Sequence, residues 1–196
     1  MHIVKTETET ETETETETEI ARVAKADLVA LLAFCLRTAL AAYGREHLCA
    51  IRYQAIRDRQ YLITTDGHRL LAFDVGEARE IAVSFPRDIV ERAIKVAGKN
   101  DVIVLSIGPR GEPKIAIGAT VLTAPEPDGR YPDVAQVLPR WTTAGEAGSW
   151  ALDPKYLAAF SKIPVDYIEI AAPADKFSPV PFRSGPWHGV IMPMRI

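Results

Sequence analysis

Thr64-Thr65-Asp66-Gly67-His68-Arg69-Leu70 is the stretch on which the reading of this chain turns. Tyr61-Leu62-Ile63 precedes it and Leu71-Ala72-Phe73-Asp74-Val75 follows it, and both runs have strand propensity. An Asp-Gly pair between two such runs predicts a hairpin, because Gly accepts a positive φ at no steric cost. A plain turn explains Asp66 and Gly67. Thr65, His68 and Arg69 add hydrogen-bond donors, and Leu70 and Leu71 add bulky apolar groups, all close to that turn. Such a mixture suits a pocket with an apolar floor and a polar rim.

The chain around it has 196 residues, room for one or two domains, and 47% hydrophobic residues, ordinary for a globular protein. No apolar run reaches the roughly 18–20 residues of a membrane span. The N-terminus, with Lys5 and alternating Thr and Glu, does not read as a signal peptide. Cys35 and Cys49, in or near a helical stretch, read as reduced core thiols, and the expected location is cytoplasmic. The net charge of −3 hides a segregation: Thr and Glu alternate from Thr6 to Glu19, and without the seven Glu of that run the remainder carries +4. Residues 1–19 read either as a solvated acidic arm or as an edge strand with every Thr on one face. A mildly basic body is compatible with nucleic acid.

Taken in order, the rest shows one plan three times. Residues 20–79 read as a strand at Ile20–Val23, a helix from Lys25 to about Tyr43 with apolar residues at three- and four-residue spacing, a strand at His47–Tyr53, and the hairpin. Residues 80–140 repeat it: strand Glu80–Phe85, helix Asp88–Ala97 after Pro86, strand Val102–Ile107, and one bent strand or a strand pair over Lys114–Thr123. Residues 141–196 begin it again, with a strand at Ser149–Leu152, a capping Asp153 and Pro154 before a helix at Lys155–Lys162, a strand at Tyr167–Ile170, and two strands at Val180–Phe182 and Gly189–Met192. A period of about sixty residues is a structural repeat.

Two further stretches join the hairpin. Arg130-Tyr131-Pro132-Asp133-Val134-Ala135-Gln136-Val137-Leu138-Pro139 leads into the third unit, and Val190-Ile191-Met192-Pro193-Met194-Arg195-Ile196 ends the chain. Thr65-Asp66-Gly67-His68-Arg69-Leu70 and these two segments, in this order, resemble the signatures of the bacterial DNA polymerase III β subunit, the sliding-clamp family, over roughly residues 20–196. The resemblance implies an α+β, DNA-clamp-like fold of repeated strand-helix-strands half units, with helices on one face and antiparallel sheets on the other. Units 20–79 and 80–140 would form one complete domain and 141–196 a half domain, a reduced clamp lacking the family's first domain and half of its third.

The same resemblance implies a peptide-binding pocket made by Thr65, Gly67, His68, Arg69 and Leu70 of the hairpin, Pro132 and Val137 of the linking segment, and Val190, Ile191, Met192, Pro193, Met194 and Arg195 of the tail. Its ligands would be polymerases or repair proteins carrying a short motif with Gln and Leu or Phe. The chemistry fits: Met192 and Met194 can mould around an apolar side chain, and His68 and Arg69 can hydrogen-bond an amide. Gln136 stands where the family commonly has Arg, which removes a rim charge.

The resemblance further implies helices that face double-stranded DNA through nonspecific phosphate contacts. Candidates are Arg37 and Arg45 near the first helix, Arg92, Lys95 and Lys99 at i, i+3 and i+7 on the second, and Lys155 and Lys162 on the third. Family rings hold twelve half units, so three per chain would call for a tetramer, the unpaired third unit meeting its counterpart in a neighbour. The alternative reading is a clamp-derived module that captures clamp-binding peptides without encircling DNA. His2, His47, His68 and His188 lack metal-ligand spacing, no phosphate-cradling Gly-rich loop is present, and neither a cofactor nor enzymatic activity is expected.

Overall fold

The computed structural model describes residues 17–34, 46–141 and 150–194. Arg37, Arg45, Arg195, Cys35, the Thr-Glu run up to residue 16 and the continuation of the first helix beyond Phe34 lie outside the described residues.

The first unit is β1 (Thr18–Ala24), α1 (Lys25–Phe34), β2 (Ala50–Ile56), β3 (Arg59–Thr65) and β4 (Arg69–Glu77). The second is β5 (Val83–Pro86), α2 (Arg87–Val96), β6 (Val102–Ile107), β7 (Pro113–Ile117) and β8 (Thr120–Thr123). The third has α3 (Pro154–Ala158), a 3-10 turn at Ala159–Lys162, and β9 (Glu169–Ile170), β10 (Val180–Ser184) and β11 (Trp187–Ile191). The helix starts have local causes. Asp27 Oδ2 accepts the Ala24 N–H at 3.0 Å, and Asp153 Oδ1 caps α3 by accepting the Lys155 N–H at 2.8 Å. α2 is amphipathic, burying Ile89, Val90 and Ala93 and exposing Arg92 and Lys95.

Among the described residues the strand pairings are antiparallel. One sheet has the order β1-β6-β7-β8 and the other β5-β2-β3-β4-β11-β10-β9. The third unit joins the first edge to edge, Leu70 opposite Val190 and Leu71 opposite Gly189. Gly189 is required there, since a Cβ on it would collide with the Phe182 ring and the Leu70 carbonyl.

Period-two alternation sends neighbouring residues to opposite faces. Leu71, Leu62, Tyr53, Phe182, Trp187 and Ile191 enter the main core with Leu28, Leu31 and Phe34 of α1 and Ile89 and Val90 of α2. Phe160 closes on Phe182 at 4.6 Å and on Phe34 at 6.1 Å between ring centroids, which fixes the third unit's helical turn to α1. Leu70, Ile63, Tyr61, Ala72 and Val190 face the other way and form a second cluster with Tyr131, Val134 and Leu138.

Several sequence expectations shift. Of the strand expected at Ser149–Leu152, Ser149 lies outside the described residues, and among the described residues Trp150–Leu152 has the isolated bridge Ala151 to Met194. The strand expected at Tyr167–Ile170 is confined to Glu169–Ile170, and the helix expected over Lys155–Lys162 tightens after Ala158 into the 3-10 turn. Lys114–Thr123 is two strands. α2 ends at Val96, so Lys99 lies past the helix and not on its face as its spacing suggested. Thr18 and Glu19, read with the arm, belong to β1, and Glu17 already hydrogen-bonds the Ser106 hydroxyl and pairs with Lys114.

Candidate functional site

The hairpin tip is held by its own side chains. Gly67 takes a φ of +85°. Asp66 Oδ1 accepts the backbone N–H groups of His68 and Arg69, each at 2.9 Å, while Oδ2 accepts Arg69 Nε at 2.8 Å. Thr65 Oγ1 donates to the Arg69 carbonyl at 2.8 Å and accepts the Gly67 N–H at 3.1 Å. The Asp66 side chain is 0% exposed and that of Arg69 is 6% exposed. Arg69 Nη2 donates to the Ala33 carbonyl at 3.1 Å, and its guanidinium lies 5.0 Å from the Phe34 ring centroid and 5.3 Å from that of Tyr156. Arg69, expected from the sequence as a rim donor, is thus buried as a strut between the tip, α1 and α3. The reason is its neighbours: Asp66 neutralises it and two aromatic faces cover it.

His68 and Gly67 remain exposed at the tip. The His68 ring stacks on Tyr156 with centroids 6.0 Å apart, and its carbonyl accepts the Met192 N–H at 2.8 Å. Met194 is tied in turn to the segment before α3, donating its N–H to the Ala151 carbonyl at 2.8 Å. Hairpin, tail and the first turn of α3 therefore meet at one place. Burial holds the Tyr156 hydroxyl above its usual pKa, with the Asp66 and Asp153 carboxylates adding to it, so it stays a protonated donor.

The linking segment meets the hairpin and tail on the outer face of the seven-stranded sheet. Leu70 and Val190 are buried in the second cluster with Tyr131, Val134 and Leu138. Asp133 caps the short 3-10 turn Val134–Gln136 and also accepts Gln136 Nε2 at 2.9 Å. Val137 is 39% exposed, and a cleft of about 180 Å³ opens beside it between Gln136, Pro139, Ala172 and Pro181. Of the expected pocket residues, Leu70, Thr65, Val190 and Ile191 are buried. Pro132 and Val137 are exposed, Met192 and Pro193 half-buried, and Met194 is 50% exposed. Ile191 points into the main core, on the opposite face from Val190. The sequence reading missed Tyr156. Its one signal was its place three residues after the capping Asp153, which sets it on the first turn of α3.

Arg92, Lys95, Lys99, Lys155 and Lys162 are exposed, and among the described residues none of the five is in an ion pair. Among the described residues no cluster of three or more His, Cys, Asp or Glu is placed to hold a metal ion, and no helix is long and apolar enough to cross a membrane.

Strand-helix-strand units sharing antiparallel sheets, with helices gathered on one face, define the class: the fold is that of the bacterial sliding clamps. The Caulobacter crescentus beta sliding clamp superposes with a TM-score of 0.68 at 18% identity, over 94% of this chain and 67% of that one. The Pseudomonas aeruginosa DNA polymerase sliding clamp gives a TM-score of 0.68 at 16% identity, over 91% of this chain and 67% of that one. In sequence the chain is similar to the beta sliding clamp of Haemophilus influenzae, 29% identical over 113 residues, which are 56% of this chain and 31% of that protein. The matched stretch thus spans under a third of that relative, and no protein-family model matches. Fold and sequence together mark the chain as clamp-like and shorter than the clamps it matches.

Proposed function

We propose that this chain tethers partner proteins to double-stranded DNA, as a non-catalytic, clamp-like processivity factor without a cofactor, in the cytoplasm. The observation that carries the reading is the convergence of three distant segments, 65–70, 131–138 and 190–194, on one apolar cluster with an exposed rim. His68, Tyr156, Met192 and Met194 offer polarizable apolar surface beside hydrogen-bonding groups, the combination that takes a Leu or Phe side chain and a Gln amide of a short peptide. Leu70 and Val190 are the floor, and Val137 with Pro132 forms the far wall. Arg92 and Lys95 on α2, with Lys99, Lys155 and Lys162, supply weak phosphate contacts without base readout, which allow sliding. Assembly of four chains would supply twelve half units for a closed ring.

Two measurements test this. Protein retained on nicked circular DNA but lost after linearisation supports encirclement, whereas equal retention replaces it with the non-encircling peptide-capture module. Fluorescence anisotropy with a labelled peptide carrying Gln, Leu and Phe tests the pocket. Tyr156→Ala or Met192→Ala should each weaken binding about tenfold, roughly 1.4 kcal/mol. Unchanged affinity in both variants would remove the pocket from the reading.

A further inference from the structure

Between β2 and β3 the ladder closes with Ile56 opposite Arg59, so Arg57 and Asp58 are the two central residues of a tight hairpin. Arg57 has a φ of +59°, and among the described residues no other non-glycine residue has a positive φ. A positive φ at the first central residue and not at the second is the pattern that glycine ordinarily fills, because a Cβ there crowds the backbone. Burial of the side chain does not offset this strain, since Arg57 is exposed. What the arginine gains is a distant contact: its Nη2 donates to the Leu138 carbonyl at 3.0 Å, 81 positions along the chain.

Leu138 is the middle of a wall. Gln136, Val137, Pro139 and Arg140 line one side of the cleft of about 180 Å³, and Ala172, Ala174 and Pro181 of the third unit are on the other. Leu138 turns away from the cleft, and its side chain is buried in the second cluster. The N–H groups of Val137 and Leu138 both donate to the Val134 carbonyl, at 3.1 and 2.9 Å, which closes the 3-10 turn. A carbonyl just past such a turn has no partner within it, and a charged donor suits it. The two sides of the cleft belong to different parts of the chain, so its width depends on what holds the linking segment. Two contacts tie that segment to the first unit. The Tyr131 hydroxyl reaches the Ile63 carbonyl at 3.4 Å, long for such a bond and ahead of the wall, whereas Arg57 grips the wall at its centre.

We propose that Arg57 is a positioning residue of the peptide site. Its strained turn carries the guanidinium to the Leu138 carbonyl and holds segment 136–140 at the separation from the third unit that admits one apolar peptide side chain. The inference rests on the peptide-site reading and not on the DNA reading. The strain sits in the β2–β3 turn and its effect appears in the cleft, so stability and peptide binding should part when Arg57 is replaced.

The test compares the full chain with Arg57→Gly and Arg57→Lys, by anisotropy with the labelled peptide carrying Gln, Leu and Phe and by urea denaturation. Glycine accepts the positive φ and deletes the donor, while lysine keeps a long cationic donor. Arg57→Gly should bind the peptide about fivefold more weakly with a urea midpoint at or above the wild-type value, and Arg57→Lys should stay within about twofold of wild-type affinity. Arg57→Gly binding within about twofold of wild type, or an affinity loss that comes with a lowered midpoint, overturns the proposal. Amide hydrogen exchange at Val137 and Leu138, followed by NMR without peptide, reads the contact directly: it should quicken in Arg57→Gly, and unchanged exchange overturns the proposal. Quickened exchange in a protein whose wild type binds no peptide supports the hold on the wall and strikes only the peptide-site reading.

Discussion

Asp66→Ala removes three hydrogen bonds and one ion partner from the hairpin tip. The bond from the exposed His68 N–H is replaced by water at little cost. The Arg69 N–H and guanidinium are not so relieved, because the Arg69 side chain is 6% exposed and sits between Phe34 and Tyr156. Breaking a buried pair by deleting one partner costs about 3–5 kcal/mol, mostly from the charge left behind. Arg69→Met should cost less, about 2–3 kcal/mol, since the Asp66 carboxylate keeps two backbone N–H donors. Removing both leaves no orphaned charge, so the double variant should be more stable than the sum of the singles implies, with a coupling of about 2 kcal/mol. Urea denaturation of the four proteins measures the cycle, with common slopes as the check that the same surface unfolds. A cost below about 1 kcal/mol for Asp66→Ala, or effects additive to within about 0.5 kcal/mol, would refute the claim that this pair holds the tip.

Gly189→Ala should destabilise by about 2–4 kcal/mol, because its Cβ meets the Phe182 ring and the Leu70 backbone carbonyl with no flexible chain end to yield; denaturation and the peptide assay should both register it, and wild-type values in both would contradict the close β4–β11 approach. Burial holds the His188 imidazole below its usual pKa, with Arg183 and Arg59 adding to the effect and Asp74 partly opposing it. The unfolded chain therefore binds that proton more tightly, so stability is full above the unfolded value of about 6.5 and falls as pH drops toward the lower folded value. His188→Gln should flatten that slope between pH 7 and 5; a wild-type-to-variant difference independent of pH would refute the assignment.

Much of the architecture was legible locally. The Asp66-Gly67 turn, the Asp153-Pro154 helix start and the amphipathic run of α2 each depend on chemistry within a few residues, and the structure has them where the sequence places them. The strand-helix-strands plan was readable in the first two units, and the three segments that meet in the second cluster were singled out by their resemblance to sliding-clamp signatures and not by local chemistry. The less legible features all depend on what a residue packs against. Arg69 looked like an available donor, yet Phe34 and Tyr156, 35 and 87 positions away, cover it. Tyr156 carried no local mark of function until α3 came to rest against His68. Trp150–Leu152 has strand composition but among the described residues makes one isolated bridge, Ala151 to Met194, since a strand needs an edge as well as a pattern.

The amino-acid sequence by itself determined the kinds of element, their order and the turns between them, because propensity, alternation and capping act over short range. Only the tertiary structure decided which edges join and which of Leu70 and Leu71 faces the helices. Those outcomes come from burying apolar faces across long loops of chain, and no local window contains both partners.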